Sequence, residues 1–444
     1  MSTPEQTNPQ QPNKRPAAVK IVYGIVMAAL VGLLLVSAFL YWQDMNPEQP
    51  ELPSQETTAP AYEPTVPSTD AATEPSEPET PTTPMESVPP AEPEEPTLPE
   101  EPVDPEDPDK VDIRLNTGNS PVYLIGKAAQ NYLKAEKVPN VTDFLMPFWE
   151  TESRMDRGAP VKLSYKIYSL PKGVTVAKAV FRVFIGDGSG RFIELQAPKG
   201  STSVAVYNLR TGNSYEYQAA ITLTNGTELE LRGSFLTAAG PRLMNIDGLV
   251  NVRDLGGWVA AGGKTVKQGL LYRGSEMDGA VEQDFKLTEE GLKQLQALGI
   301  KTDLDLRHEG ADVIPGAEHI YYDAIQYEHA FTPAGREAVR KLFADLADPA
   351  NYPAYLHCTY GADRTGTMCY LLLGLLGVSD ADLMRDYELT ALYYGYVSPE
   401  QMGAFVAKIA ELPGNTTQER IEYFLLSTGV TEQQLGSVRQ IFLG

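Results

Sequence analysis

The stretch HCTYGADRTG at residues 357–366 places a thiol, a carboxylate, a guanidinium and a hydroxyl within one short segment, with five residues between Cys358 and Arg364. The residues before it, AYLHC, read as a strand, and those after it as an apolar helix. A strand, a tight loop and a helix start together aim backbone N–H groups and the positive end of a dipole at one point, an arrangement that binds an oxyanion. Those amides and Arg364 would favour the thiolate of Cys358 and make it a nucleophile at neutral pH. Arg364 can grip two phosphate oxygens bidentately, a geometry lysine lacks. Thr365 offers a hydroxyl to hold the thiolate and ease its departure, and Asp363 points out of the same loop. Thr359, Tyr360, Gly361 and Ala362 would form the cradle around the bound group. A small packed cysteine is the plain alternative for Cys358; the company of six functional residue types argues against it. The second cysteine, Cys369, lies in TMCYLLLGLL and reads as core packing. Eleven residues apart and mostly helical between, the two are not expected to bridge.

The elements that must position this loop follow from periodicity. Beyond about residue 243 strands alternate with helices: an amphipathic helix TEEGLKQLQAL, a buried strand in GIKTDLDLR, another in HIYYDAI, and a helix TPAGREAVRKLFADL with Thr332 as N-cap and Pro333 in the first position. The apolar helix after the loop spans residues 368–376. Further helices start at Ser379, at Ser398 with Pro399, at Thr416 and at Thr431 with Glu432. Residues 242–444 therefore read as an α/β domain with a largely helical second half.

Residues 111–241 read differently, as short alternating strands (VKLSYKIYSL, AKAVFRVFIG, RFIELQA, STSVAVYNL, SYEYQAAITLT, ELELRGSFLT) at the spacing of an all-β sandwich. GDGSG at 186–190 sits between two strands and lacks a following helix and lysine, so it reads as a hairpin turn. Residues 46–109 hold 18 prolines and 18 acidic residues with no lysine or arginine, and cannot form a core. The segment 43–110 is expected to be either an extended polyproline-like stalk, reaching on the order of 200 Å at ~3.1 Å per residue, or a tether of no set length. Residues 21–42 form an uncharged apolar run long enough to cross a bilayer, with Lys14, Arg15 and Lys20 before it and Asp44, Glu48 and Glu51 after it. The charge bias puts residues 1–20 in the cytoplasm and everything beyond the span outside. The rival reading is a cleaved leader, for which VSA at 36–38 is the candidate site. The expected architecture is thus multidomain: a transmembrane helix, a disordered Pro/Glu/Thr stalk, a β-sandwich and an α/β domain.

The loop HCTYGADRTG resembles the signature of cysteine-based phosphatases. In its GxDRTG form it is similar to the atypical bacterial tyrosine phosphatases, some of which also accept phosphoinositides. NVRDLGGW at 251–258, LYRGSEM at 271–277 and DLDLRHEGAD at 303–312 fit the same group, so the resemblance covers the last 200 residues or so. It implies that Cys358 attacks phosphorus and that water hydrolyses the resulting cysteinyl-phosphate. It also implies that Asp363 protonates the leaving group, with Asp254 and Asp305 as rivals. Arg253 and Asp254 in RDLGG, and Arg307 with Asp305, would orient the loop or the substrate, the alternative being ion pairs that support the fold. Where this chain has Ala362 the family often has lysine, associated with inositol lipid headgroups, so phosphotyrosine or a simpler phosphomonoester becomes the favoured substrate. VYNLRTGNSYEYQAAI, with the residue order of a tyrosine corner, gives the sandwich a resemblance to fibronectin type III domains.

Composition narrows the partners. A formal charge of -23 and a pI near 4.6 exclude nucleic acid as a partner. With 4 histidines and no HExxH, CxxC pair or EF-hand loop, no metal or other cofactor is expected. Two readings stand: a membrane-anchored extracytoplasmic phosphatase, or a surface interaction protein whose sandwich binds a cell-wall or host ligand while the phosphatase-like domain only recognises phosphate. An inositol-phosphate or phosphoinositide phosphatase is the variant of the first.

Overall fold

Inward-facing residues of period two build the first half of the molecule. In the strand Val161–Ser169, Val161, Leu163 and Tyr165 are buried while Lys162 and Lys166 face water. A computed structural model describes residues 110–444 apart from Thr117, Asn119, Lys137, Ser153, 187–189, His308, 323–325 and Tyr396. The expected cytoplasmic segment 1–20, the span 21–42 and all of the stalk but Lys110 lie outside the described residues, as does the centre of the 186–190 turn. Among the described residues no helix is long and apolar enough to cross a membrane.

The strands β1 (Asp112–Leu115), β2 (Val161–Ser169), β3 (Val176–Phe184), β4 (Phe192–Gln196), β5 (Ser203–Val206), β6 (Ser214–Leu223) and β7 (Glu228–Leu236) form two antiparallel sheets, ordered β1-β2-β5 and β4-β3-β6-β7. Phe181, Val183, Tyr217, Ala219 and Ile221 fill the space between them. The hydroxyl of Tyr215 accepts a hydrogen bond from Arg210 N at 2.8 Å, closing the corner that leads into β6.

Residues 111–241 are not sandwich throughout, which corrects the sequence reading. Between β1 and β2 the chain leaves the sheet and forms two helices, α1 (Lys127–Lys134) and α2 (Val141–Leu145). Asn140 caps α2 by accepting from Thr142 N at 2.9 Å. The apolar face of this insert, with Ala128, Ala129, Tyr132, Val141, Leu145 and Met155, belongs to the same core as Leu371, Leu375 and Ile421 of the C-terminal domain rather than to the sandwich core. The α1 pattern is short and flanked by strands, so periodicity alone did not separate it from a loop.

The C-terminal domain adds β8 (Arg242–Leu243), β9 (Arg253–Asp254), β10 (Leu271–Gly274), α3 (Glu289–Leu298), β11 (Thr302–Asp305), β12 (Glu318–Tyr321), α4 (Pro333–Leu346), β13 (Ala354–His357), α5 (Asp363–Leu375), α6 (Asp380–Glu388), α7 (Ala391–Tyr394), α8 (Pro399–Ala410), α9 (Thr417–Thr428) and α10 (Glu432–Leu443). Its six-stranded sheet runs β12-β11-β13-β10-β9-β8, and β13 lies between two parallel neighbours. Thr332, Ser379, Thr416 and Thr431 all cap their helices through their side chains. The helix after the loop starts at Asp363 rather than Met368: Thr365, Gly366 and Thr367 are buried although polar or small, so the apolar pattern begins later than the helix does.

Candidate active site

The carboxyl end of β13 sits between two parallel neighbours in the mixed six-stranded sheet, where α/β folds place their ligand crevices. Cys358 follows directly and is 3% exposed. From there the loop turns back into α5, and Gly361 makes the turn at φ +64°. Arg364 lies in the first turn of α5, with Nη2 3.2 Å from Thr359 Oγ1 and Nη1 3.3 Å from the carbonyl of Leu306. The structure thus brings Cys358, Thr359, Tyr360, Gly361, Ala362, Asp363 and Arg364 onto one strand–loop–helix turn. Thr365 follows, but its fully buried Oγ1 has no hydrogen-bond partner, so the expected contact with the thiol is not formed. Cys369 is free and buried in the α5 core, which pushes its thiol up to about 11.

A phosphate loop works only if its carbonyls point away from the anion. Here they are held from behind. Arg273 Nη2 donates to the carbonyl of Gly361 at 2.8 Å, Asn251 Nδ2 donates to the carbonyls of Tyr360 at 3.2 Å and Gly361 at 3.1 Å, and Glu276 N donates to the carbonyl of Thr359 at 2.9 Å. Behind these donors Asp386 on α6 receives Arg253 at 3.2 Å and Arg273 at 2.5 Å, all three buried. Two guanidiniums on one carboxylate leave a net positive charge beneath the loop. Burial raises and the two arginines more than reverse the Asp386 carboxyl, which is held below the usual carboxylate range, while burial and the neighbouring Arg273 pull Arg253 down to about 10.

Three of the residues expected to touch substrate do other work. Arg253 is 1% exposed and spends its donors on Asp386, Asn251 and Thr390, so it anchors the loop's support and not a ligand. Asp254 accepts from Gly256 N and Gly269 N and pairs with Arg242 at 2.9 Å. It stands opposite Tyr272, whose partner on β13 is Tyr355, three residues or about 10 Å short of Cys358 along the strand. Arg242 in turn donates to the carbonyl of Leu209 at 2.8 Å, so Asp254 ties the sandwich to the sheet. Arg307 is 5% exposed and is shared by Glu276, Asp278 and Asp305. Burial opposes ionisation of Asp305, but Arg307 and His357 outweigh it and hold the carboxyl below the usual range.

Asp363, at the start of α5, is half-buried and accepts a hydrogen bond from the hydroxyl of Tyr327. Tyr327 is itself bonded to Tyr387 at 2.6 Å; burial and Asp363 raise its hydroxyl far above the usual range, so it remains a donor. His357 carries a different load. Its Nε2 lies 2.9 Å from Asp303 and 3.7 Å from Asp305, and these carboxylates overcome burial and raise the imidazole to about 9. At the mouth of the loop, Tyr360 is 38% exposed and packs edge-on against Phe285 and Tyr394. Asn251, Arg273, Glu276 and Asp386 were missed as functional positions. The first three lie inside the segments that carried the resemblance, yet nothing in residue type alone separates a loop anchor from a core polar group.

Residues 244–443 match the tyrosine phosphatase family. A provisionally named tyrosine-protein phosphatase of Cupriavidus necator is 32% identical over 173 residues, covering 32% of this chain and 60% of that protein. A tyrosine-protein phosphatase of Nostoc commune is 27% identical over 135 residues, covering 24% of this chain and 46% of that protein. The chain therefore spans about half to three-fifths of the length of these relatives. The core catalytic domain of the PP-IP phosphatase SIW14 from Saccharomyces cerevisiae, solved with citrate, aligns over 36% of this chain and 86% of that one, at 17% identity and a TM-score of 0.23. Cys358 at the end of the central strand and Arg364 in the first turn of the next helix both fall inside residues 244–443, the stretch over which this chain is similar to the tyrosine phosphatase family.

Proposed function

We propose that the protein hydrolyses phosphomonoesters through a cysteinyl-phosphate, with phosphotyrosine or a related aryl phosphate as substrate. The observation that carries this is the loop itself: Cys358 at the end of β13, Arg364 on α5, and carbonyls of Thr359, Tyr360 and Gly361 all drawn backward. In the first step the Cys358 thiolate attacks phosphorus and the P–O bond to the leaving alcohol breaks, with Asp363 supplying its proton. In the second, water attacks the phosphocysteine, Asp363 takes a proton from it, and phosphate leaves with the thiolate restored. Arg364 follows the charge on the equatorial oxygens through both steps.

The substrate class rests on two features. Arg253, Arg273 and Arg307 are all committed to interior carboxylates, which leaves less positive charge for a highly phosphorylated inositol than the sequence suggested. Tyr360, exposed at the loop and backed by the edge-on contacts of Phe285 and Tyr394, offers an aromatic surface on which a phenyl ring could pack. Anchoring by the segment 21–42 and an extracytoplasmic position for the catalytic domain belong to the same proposal, resting on the apolar run and its charge bias. The sandwich, with three and four strands in its sheets and its tyrosine corner, is proposed as a fibronectin type III-like module that meets a surface ligand.

The test is turnover of 4-nitrophenyl phosphate and a phosphotyrosine peptide by the full chain, against Cys358→Ser. Loss of turnover in the variant with retained tungstate binding supports the reading. Equal phosphate release by both proteins, or a native chain that binds tungstate without turning over any ester, defeats it and favours a phosphate-recognising surface protein.

A further inference from the structure

The loop is supported by a residue that lies outside the stretch matching the phosphatase family. Asp156 sits in the segment that leads from α2 to β2, is 3% exposed, and its Oδ2 accepts a hydrogen bond from Asn251 N at 2.9 Å. Arg154 closes the other side: its Nε and Nη2 lie 2.8 and 2.9 Å from the two Asp156 oxygens, and its guanidinium stands 5.1 Å over the ring of Tyr393. Asn251 holds φ at +56°, in the left-handed region that asparagine tolerates better than most non-glycine residues. Its partners there are Asp156 on one side and, on the other, the carbonyls of Tyr360 and Gly361, to which its own Nδ2 donates.

The consequence follows from the planarity of the peptide bond. In a trans peptide the C=O of one residue and the N–H of the next point in opposite directions. Drawing the carbonyls of Tyr360 and Gly361 backward onto Asn251 therefore turns the N–H groups of Gly361 and Ala362 forward, to where a phosphoryl oxygen is held. If Asn251 relaxes out of its left-handed conformation, its amide swings and both peptide planes lose a restraint.

We infer that Asp156 is a positioning residue for the phosphate loop, acting through Asn251, so that the segment between the first two sandwich strands is a working part of the catalytic unit. This rests on the phosphatase reading given above. Asp156 touches neither thiol nor phosphate. Its effect is on where the loop amides point, and the buried N–H of Asn251 loses its acceptor when the carboxylate is removed.

The experiment compares the full native chain with Asp156→Ala and Asp156→Asn, reading kcat and KM for 4-nitrophenyl phosphate, inhibition by tungstate, and the thermal midpoint. Asp156→Ala is expected to lower kcat/KM by about tenfold to hundredfold, the size of one lost buried hydrogen bond in a preorganised site, and to weaken tungstate inhibition in parallel. Asp156→Asn keeps an oxygen for Asn251 N and recovers most of both. A lower thermal midpoint with unchanged kcat/KM and unchanged tungstate inhibition overturns the inference, because a merely structural residue would behave that way. Should the alanine variant not fold, Asp156→Ser, which keeps a polar group but shortens its reach, carries the same comparison. A native chain with neither turnover nor tungstate binding defeats the phosphatase reading and this inference together; an active native chain with unaffected variants defeats the inference alone.

Discussion

Gly361 lies against Gly274: a Cβ built on Gly361 would stand 2.3 Å from the carbonyl oxygen of Gly274 and 2.4 Å from its carbonyl carbon. Both neighbours are backbone and cannot step aside. The same residue holds φ at +64°, which costs an L-residue roughly 1–2 kcal/mol. Gly361→Ala should therefore move the loop rather than unfold the domain. We expect kcat/KM to fall by about a hundredfold from misplaced loop amides, with protection of the protein by tungstate against heat lost in parallel. A variant that keeps native kcat/KM would show that the turn is not under this constraint.

Asp363 is the carboxylate that the loop and Tyr327 hold in place. Asp363→Asn should slow hydrolysis of phenyl phosphate about a hundredfold or more, the usual scale of general acid catalysis. Esters of strongly acidic phenols, which leave without a proton, should lose far less. A plot of log kcat against leaving-group pKa should steepen in the variant; parallel lines for the two proteins would take the acid role away from this residue.

His357 links stability to pH. Its folded value of about 9 stands above the ordinary imidazole value near 6.5 because Asp303 and Asp305 hold the proton against burial. A value raised on folding means that the native state binds the extra proton, so the stabilisation is full below about 6.5 and is lost as pH rises toward 9. The contribution is on the order of 1–3 kcal/mol. The thermal midpoint of the native chain should drop across that interval more steeply than that of His357→Gln. Equal slopes would mean that the imidazole is neutral in the folded state throughout.

The insert between β1 and β2 makes the catalytic core indivisible. Tyr132 is 2% exposed, Leu145 is 0% exposed, and both pack into the C-terminal domain. Each contributes roughly 1.5–3 kcal/mol through burial, so losing the whole insert removes an amount comparable to the net stability of a domain. A chain of residues 243–444 should melt without cooperativity or aggregate, while residues 110–444 should unfold in a sharp urea transition. A cooperative transition for the shorter chain at the same urea midpoint would contradict the shared core.

The residues that do the chemistry were legible in the linear order because the loop is local. Cys358, Gly361, Asp363 and Arg364 fall within seven positions, and a strand before and a helix after them suffice to bring their groups to one point. The helix caps at Thr332, Ser379, Thr416 and Thr431, and the alternation of the sandwich strands, were legible for the same reason: each is a bond or a pattern between near neighbours.

What tertiary structure alone decided is which charges face the substrate and which face each other. Arg253, Asp254 and Arg307 carry the residue types of a binding site, yet they are consumed by Asp386, Arg242 and Asp305 with its neighbours. Two of those partners lie 133 and 12 residues away, and a buried charge settles its pairing by whatever the packed fold brings beside it. The same holds for the insert at 127–145: the eight-residue helix Lys127–Lys134 is amphipathic, but an apolar face does not reveal whether it meets the sandwich or a domain two hundred residues further on, because burial of apolar surface is non-directional and only the closed fold brings one partner to it.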